Sequence, residues 1–309
     1  MMDPKFKWGY AIFVLFLLMI AGFIAVGIIS LFTGVEIDSL EGNVAMITIE
    51  GVIVGTDDSG LFFDNVVNSL DTIELVEKAD RNPNVKAIIL QINSPGGSAV
   101  ASEEIANAVK KTNKTTVAWI RESGTSGAYW IASSSDHIVA NRVSITGSIG
   151  VIASYLEFGG FLEGHNVTYR RLVAGKYKDI GSPFREMTEE EVILFQQDLD
   201  IIRDYFVSEV ANNRKMSKKE VEKASNGIFY LGVQAKELGL VDELGGRDEV
   251  IAYIELKENI TADIVEYKTE KSFFEVLGDV MKKQFFFVGR GIGSAFLDMK
   301  PSSSLMITT

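Results

Sequence analysis

One serine lies in a run of small residues that could make it a nucleophile. Residues 122–130 read ESGTSGAYW, with Ser126 between Thr125 and Gly127. The preceding TTVAWI predicts a strand, and the following AYWIASSS predicts a helix. A serine at a helix start lies beside backbone N–H groups that have no partner within the helix. Acyl transfer needs such a hydroxyl and such donors for the oxyanion, although small residues next to serine also mark ordinary turns.

A second glycine-rich turn follows another predicted strand. The run KAIILQIN (86–93) is almost continuously apolar, which is typical of a central strand of a parallel sheet. It ends at Ser94-Pro95-Gly96-Gly97, a turn that few other residue types could make. The turns at 94–97 and 124–127 should then lie at the same edge of the sheet, where α/β proteins form their sites. This coincidence favours a catalytic serine.

The serine needs a base, and the residues alone leave four candidates. The chain has only two histidines, His137 beside an aspartate in a predicted strand and His165 in a predicted turn. A neutral lysine can also accept the proton, and GKYKDIGSPF offers Lys178 and its near competitor Lys176. Lowering a lysine pKa by about 3 units through burial costs about 4 kcal/mol, so the lysine should lie in an apolar pocket.

Composition excludes several other kinds of chemistry. The 309 residues include no cysteine, so disulfides, thiolate nucleophiles and cysteine metal sites are impossible. Two histidines are too few for a multi-histidine metal centre, and we predict neither a metal nor another cofactor. The formal net charge of −12 argues against nucleic acid as a partner, because no basic stripe is present to meet phosphates.

The N-terminal segment has the pattern of a membrane anchor. No charged residue occurs from Trp8 to Val35, and about 20 apolar residues suffice to span a bilayer. A cleavable signal peptide is the alternative, although its apolar run would be shorter. Lys5 and Lys7 precede the segment and acidic residues follow it, which predicts a cytoplasmic N-terminus and an extracytoplasmic remainder. We therefore predict a single-pass protein of the cell membrane.

The rest of the pattern predicts the domain organisation. Strands, glycine turns and helices alternate, which indicates an α/β fold with a parallel β-α-β core and right-handed crossovers. Among the predicted elements are a helix over 63–79, a strand over 167–173 and a long helix that a capping box starts at Thr188. The predicted segments are a cytoplasmic N-terminus (1–7), the anchor (8–35), a linker (36–42), the main domain (43–268) and an aromatic-rich C-terminal segment (269–309) that could contact a partner subunit, the membrane or the core.

Five motifs, in order, resemble those of the signal peptide peptidase A (SppA) family of Ser/Lys peptidases, in its half-length form. They are INSPGGS (92–98), GTSGAYWIAS (124–133), ITGSIGV (145–151), GKYKDIGSPF (175–184) and GLVDELGG (239–246). They are spread over much of the chain. The resemblance implies a ClpP/crotonase-like fold, which agrees with the parallel core and the glycine turns.

The resemblance also implies roles for individual residues. Ser126 corresponds to the nucleophile, and Lys178 rather than Lys176 corresponds to the general base. Further roles fall on an oxyanion N–H of Gly97 or Gly96 (we prefer Gly97), on a second oxyanion N–H of Gly127, and on the Ser148 hydroxyl as the group that orients the lysine. Many relatives have Ala-Ser-Gly-Gly where this chain has Thr125-Ser126-Gly127-Ala128. This difference does not remove a catalytic group.

At the level of function, the resemblance implies a membrane-anchored serine endopeptidase that acts on cleaved signal peptides or other membrane-associated peptides. It also implies a homo-oligomer, in which neighbouring chains could supply the serine and the lysine. The alternatives are a stomatin-associated ClpP-class membrane peptidase, a crotonase-like acyl-CoA enzyme and an inactive scaffold. An outward-facing domain would lack a supply of CoA, and the intact serine and lysine argue against a scaffold.

Overall fold

The computed structural model describes residues 13–19, 22, 42–55 and 65–269. The strands and helices named below belong to the compact unit Glu41–Lys268. Of the predicted segments, 1–7 and 36–41 lie outside the described residues, as does all but the first residue of the C-terminal segment 269–309.

A single sheet organises the described part of the chain, and it contains nine strands. The strands are β1 (Val44–Val54), β2 (Val66–Asn68), β3 (Ala87–Gly97), β4 (Thr115–Thr125), β5 (His137–Ala140), β6 (Ile145–Gly147), β7 (Phe229–Leu231), β8 (Glu243–Leu244) and β9 (Ile264–Tyr267). The main path runs β2-β1-β3-β4-β5-β8, while β9 pairs with β1, β6 with β4, and β7 with β6. Only the β6–β7 pair is antiparallel. The predicted parallel α/β fold is confirmed, and it fits a ClpP/crotonase-like core.

Eight helices connect and cover these strands in the same unit. They are α1 (Ser69–Arg81), α2 (Ala99–Lys111), α3 (Gly127–Ser133), α4 (Gly159–Gly164), α5 (Glu189–Arg214), α6 (Lys218–Lys223), α7 (Gly232–Glu237) and α8 (Arg247–Glu258). Helix α5 begins with the predicted capping box, in which the Thr188 hydroxyl accepts from the Glu191 N–H and the Glu191 carboxylate accepts from the Thr188 N–H.

The core lies on both faces of the two central strands. The apolar runs of β3 and β4 are buried because helices cover the sheet on each side, as a parallel sheet requires. Helix α3 is buried along its whole length, and its Trp130 ring stacks on Phe206 of α5 at 4.6 Å between centroids. The central strands therefore hold the two glycine-rich turns on a rigid base.

Two predicted elements differ from the observed ones. The helix expected over 63–79 begins only at Ser69, because Asn68 caps it with a side-chain oxygen and the residues before it pair with β1 as β2. The strand expected over 167–173 is absent: these seven residues are exposed irregular chain. Their β-branched and aromatic residues fit a strand, but among the described residues they pair with no other strand.

The predicted membrane localisation needs a correction. Within the residues that the structure describes, no helix is both long enough and apolar enough to cross a membrane. The prediction of a single-pass membrane protein is therefore wrong for the described chain. Of the expected anchor over 8–35, only residues 13–19, which are helical, and residue 22 are described; the remainder lies outside the described residues.

Candidate active site

Ser126 occupies a sharp turn between β4 and α3. Its backbone angles, φ 54° and ψ −126°, are uncommon for any residue other than glycine, so the surrounding contacts must hold it there. Its N–H donates to the Gly147 carbonyl at 2.8 Å, and its carbonyl accepts from the Trp130 N–H at 3.0 Å. The residue is half-buried at the carboxyl end of the sheet. Hydrogen bonds thus hold the backbone of Ser126 in place, while the residue remains partly accessible to solvent.

The turn that follows β3 packs directly against this serine. Gly96 has φ 95°, and a Cβ placed on it would lie 2.7 Å from the Gly127 nitrogen and 2.9 Å from the Ser126 Cβ. A Cβ on Gly97 would overlap the Ile53 carbonyl oxygen of β1. Only glycine fits at these two positions, because the backbones of two turns and a strand meet there. The sequence expectation that the two turns share one edge is confirmed.

The backbone nitrogens of Gly97 and Gly127 lie close to each other beside the serine. The Ser98 N–H points to β1, where it donates to the Ile53 carbonyl at 2.8 Å. Since neighbouring residues of a strand direct their N–H groups to opposite edges, the Gly97 N–H points away from β1. A Cβ on Gly127 would lie 3.4 Å from the Gly97 nitrogen, which locates that nitrogen beside α3. Gly127 opens α3, so its N–H has no carbonyl partner within the helix.

Gly96 differs from Gly97 in the fate of its N–H. It donates to the Ser94 hydroxyl oxygen at 3.0 Å, and Ser94 is fully buried. Of the two glycine N–H groups that the sequence could not separate, that of Gly96 has a side-chain acceptor, whereas the Gly97 nitrogen lies beside α3.

Ser148 directly follows Gly147, whose carbonyl accepts a hydrogen bond from the Ser126 N–H. It has φ 50°, its N–H donates to the Ile228 carbonyl at 3.0 Å, and its hydroxyl donates to the Gly227 carbonyl at 3.1 Å. The residue is half-buried close to the Ser126 turn. Among the described residues its hydroxyl makes no hydrogen bond to a lysine, so its orienting role stays a prediction.

Lys178 lies in a long excursion from the sheet, residues 151–187, which we call the arm. From residue 152 to residue 178, only positions 159 and 162 are not exposed. Several large apolar side chains of the arm face solvent, including Ile152 at 86%, Leu156 at 73% and Leu172 at 98% exposure. Within the described residues, the Lys178 amine makes no hydrogen bond or ion pair, and none joins it to Ser126.

Lys176, the competing lysine, is held by an acid. Its amine lies 2.6 Å from a Glu190 carboxylate oxygen and 4.9 Å from the centre of the Tyr177 ring. The bond to Glu190, followed by that to Tyr177, raises the pKa of Lys176 well above its usual range. Both contacts favour the protonated form of Lys176, and that form cannot accept a proton.

A cluster of two arginines and two acids ties the end of the arm to α5. Arg185 donates to both carboxylate oxygens of Asp179 at 3.0 and 3.1 Å and to both of Glu191 at 2.7 and 2.8 Å. Arg171 forms a second ion pair with Asp179. Hydrogen bonds from Arg185 and then Arg171 hold the pKa of Asp179 well below its usual range. Arg185 and the Thr188 N–H lower the pKa of Glu191 to about 2.

Neither histidine is placed to serve the serine. His137 pairs with Val117, nine residues before Ser126 on a parallel strand, so about 30 Å of strand separates the two. Its Nε2 lies 3.2 Å from a Glu243 carboxylate oxygen, and its ring stacks on Tyr253. His165 is exposed in the arm, where its Nδ1 bonds to the Phe161 carbonyl. In the part of the chain that is described, no group of three acidic or histidine side chains is arranged to hold a metal ion.

The sequence missed three residues that shape this region. The Ser94 hydroxyl accepts from the Gly96 N–H, and the Thr125 hydroxyl donates to the Pro95 carbonyl at 3.1 Å. Arg185 was not singled out either, although it joins the arm to α5. The only signal for the first two was a hydroxyl residue beside each glycine turn.

Comparison with known proteins agrees with these features. Residues 108–261 match the model of Peptidase family S49. A candidate protease of Methanocaldococcus jannaschii is 35% identical over 231 residues, which are 74% of each chain. A candidate signal peptide peptidase SppA of Enterococcus faecium is 34% identical over 75% of this chain and 69% of its own. Protease 4 of Haemophilus influenzae is 31% identical over 69% of this chain and 34% of its own.

Proposed function

The chain belongs to peptidase family S49, and from this premise we propose that it is a serine endopeptidase with a Ser126–Lys178 dyad. The family and the names of the relatives support a protease, a hydrolase of peptide bonds. The observation that carries the finer proposal is the strained Ser126 turn, packed on Gly96 and Gly97 and followed at once by the first N–H of α3. A backbone of this shape places one hydroxyl beside two N–H groups that could bind the oxyanion of a substrate.

In the proposed reaction, the Ser126 Oγ attacks the carbonyl carbon of the scissile peptide bond while Lys178 accepts the hydroxyl proton. The carbonyl oxygen becomes an oxyanion, which the N–H groups of Gly97 and Gly127 stabilise. When the C–N bond breaks, Lys178 returns the proton to the leaving amine and an acyl-enzyme remains on Ser126. Lys178 then deprotonates a water molecule that attacks the ester carbon, and it returns this proton to the Ser126 Oγ as the ester C–O bond breaks and the acid product leaves.

The choice of Lys178 over Lys176 is supported by their surroundings. Glu190 keeps Lys176 charged, whereas no described acid contacts the Lys178 amine. A lysine accepts a proton only in its neutral form, and burial in an apolar site favours that form. Since Lys178 is exposed in the single chain, a further surface must cover it.

We propose that a second copy of the chain supplies that surface in a homo-oligomer. The arm exposes Ile152, Leu156 and Leu172 almost completely, as a segment that packs against a partner would. The lysine of one chain would then serve the serine of its neighbour. Ser148, beside the nucleophile turn, would accept or donate a hydrogen bond to orient that amine.

For the substrate class, we propose cleaved signal peptides and similar apolar peptides. The support is the name of the Enterococcus faecium relative, which is similar over most of its own length.

A fluorophosphonate probe tests the dyad, because it reacts only with an activated serine. Wild-type protein should label at Ser126, while Ser126→Ala and Lys178→Ala should lose at least about 99% of the labelling rate at pH 7. Lys176→Ala, a neighbouring lysine held by a surface ion pair, is the matched control and should label within about threefold of wild type. Undiminished labelling of Lys178→Ala would show that another group is the base.

Mixing the two inactive variants tests whether the dyad is shared between chains. If it is, oligomers that contain both Ser126→Ala and Lys178→Ala chains should regain part of the peptidase activity. Mass spectrometry of the mixed oligomers provides the control for subunit exchange. Inactive mixed oligomers would place the serine and its base in one chain.

A further inference from the structure

The peptide unit between Pro95 and Gly96 is held at both of its polar ends by a side-chain hydroxyl. Its carbonyl accepts from the Thr125 hydroxyl at 3.1 Å, and its N–H donates to the Ser94 hydroxyl oxygen at 3.0 Å. Ser94 is fully buried and Thr125 is 8% exposed, so water does not compete freely for either bond. The carbonyl and the N–H of this peptide unit are therefore both hydrogen-bonded to side chains.

This peptide unit adjoins a glycine, so it could rotate more easily than most units of the chain. Gly96 has φ 95° and no side chain, so a reversal of the unit meets a smaller steric barrier there than at other residues. The two bonds hold the unit against the end of β4, and the Gly97 nitrogen follows it in the same turn, beside α3. Without these bonds the turn could shift against α3, and the Gly97 N–H would move with it.

The Thr125 bond also joins two separate segments of the chain. Thr125 immediately precedes Ser126, whereas Pro95 lies 30 residues earlier in the turn after β3. The bond thus fixes the turn that carries one N–H donor to the strand end that carries the nucleophile and the other donor. Neither hydroxyl is placed to touch a substrate, so each would act through the backbone.

We propose that Ser94 and Thr125 are positioning residues: their hydroxyls lock the Pro95–Gly96 peptide unit so that the Gly97 and Gly127 N–H groups remain aimed at one oxyanion. The inference rests on the proposed peptidase function, because only a reaction with an oxyanion needs this pair of donors. It adds to that function two residues outside the dyad that help to stabilise the transition state.

The test compares Thr125→Val, which keeps the side-chain shape and removes the hydroxyl, with Thr125→Ser, which keeps the hydroxyl. For a peptide substrate, Thr125→Val should lower kcat about tenfold and leave KM within about twofold, because the donors act mainly on the transition state. A peptide aldehyde, which forms an oxyanion on the serine, should inhibit Thr125→Val about tenfold less tightly. Thr125→Ser should restore both values to within about threefold of wild type.

Thr146→Val is the matched control for a purely structural effect. The Thr146 hydroxyl is fully buried and donates to the Gly124 carbonyl at 2.8 Å, close to the same turn but not on the locked peptide unit. It should lower Tm about as much as Thr125→Val while aldehyde inhibition stays within about threefold of wild type. Equal weakening of aldehyde inhibition in the two valine variants would overturn the proposal.

Ser94→Ala examines the other end of the peptide unit and decides the question if Thr125→Val does not fold. It should also lower kcat without a matching rise in KM, because the Gly96 N–H loses its acceptor. A Ser94→Ala or Thr125→Val enzyme with the kcat of wild type would show that the hydroxyls do not set the donors. A wild-type protein that fails to react with the fluorophosphonate would instead overturn the peptidase function itself.

Discussion

The nucleophile region, residues 94–97 and 123–133, and the arm, residues 151–187, are held by different forces. Every residue of α3 in the nucleophile region is buried, and backbone contacts at Gly96 and Gly97 leave no room for a side chain. In the arm, helix α4 has no buried residue, and the segment is tied to α5 by the Arg185 cluster. Apolar burial holds the first region, and ion pairs hold the second.

The two kinds of interaction also differ in how much they stabilise the fold. Burying one large apolar side chain contributes roughly 1.5–3 kcal/mol, whereas a largely buried ion pair such as Arg185–Glu191 loses much of its attraction to the lost hydration of both charges. The fold therefore fixes the turn of the proposed nucleophile within one chain. The arm, which carries the proposed base, depends on a few polar contacts and on whatever covers its apolar side chains. Changes of the same type should have unequal effects in the two regions.

The largest contrast should come from adding a methyl group to a glycine. Gly97→Ala should destabilise the protein by about 3 kcal/mol and lower Tm by roughly 10 °C, because the new Cβ overlaps the Ile53 carbonyl oxygen of β1. Gly160→Ala in α4 is the matched change, since a Cβ there meets no atom within 4 Å, and it should stay within about 1 kcal/mol of wild type. Calorimetry measures both. Equal losses of Tm would show that the two regions are packed alike.

Arg185→Gln should separate activity from stability. It removes the only described residue that bonds both Asp179 and Glu191, and Asp179 follows the proposed base directly. We expect kcat to fall by about 10- to 100-fold, since small displacements of a catalytic group are costly, with a smaller loss of Tm than for Gly97→Ala. Arg170→Gln, an exposed neighbour in the arm, is the control and should change neither value appreciably. A fall in Tm without a fall in kcat would place the cluster outside catalysis.

The sequence anticipated the nucleophile region far better than the arm. The glycine pair at 96–97 was readable because only glycine tolerates the close approach of backbones, and the apolar runs of β3 and β4 were readable because both faces of those strands are covered. In the arm, the residues of 167–173 suit a strand, but whether a strand forms depends on a sheet edge that local sequence does not specify.

The other features could not be predicted from the sequence because they depend on contacts between residues that are far apart in the chain. The bond from Thr125 to Pro95 spans 30 residues, so local pattern could not reveal it. The choice of Lys178 came from the family resemblance, since spacing alone did not separate it from Lys176; the Glu190 contact that distinguishes the two lysines appears only in three dimensions. The predicted membrane span failed for the described chain, where no helix is long and apolar enough.

An apolar arm residue should matter for assembly rather than for folding. Leu172→Glu, at a side chain that is 98% exposed, should leave Tm within about 2 °C in dilute protein and weaken self-association about tenfold, because a buried charge in a subunit contact is costly. Leu256→Glu on α8, which is 86% exposed, is the matched control and should not change association. Analytical ultracentrifugation compares the two. Unchanged association in both variants would remove the arm from the subunit contact.

Acid should loosen the arm before it unfolds the nucleophile region. Arg185 lowers the pKa of Glu191 to about 2 and that of Asp179 below its usual range, so both carboxylates bind protons more weakly when folded than when unfolded. Their contribution is complete above the unfolded values near pH 4 and is lost as the pH falls toward 2. Hydrogen exchange of residues 176–191 should therefore accelerate across that window, while exchange in α3 stays slow. In Arg185→Gln these residues should already exchange faster at neutral pH and should accelerate less across that window, because the pKa shifts that cause the pH dependence are smaller.

The smallest contrast compares one substitution at two tyrosines. The Tyr129 hydroxyl is fully buried and donates to the Leu240 carbonyl at 2.8 Å, and burial raises the pKa of this phenol well above its usual range. Tyr129→Phe should cost about 1 kcal/mol, or roughly 2–4 °C in Tm, because the carbonyl loses its partner away from water. Tyr177 bonds to Glu190 on the exposed arm, where water can replace the hydroxyl, so Tyr177→Phe should change Tm by less than about 1 °C. If Tyr177→Phe proved the more destabilising of the two, the arm would have to be a packed part of the core.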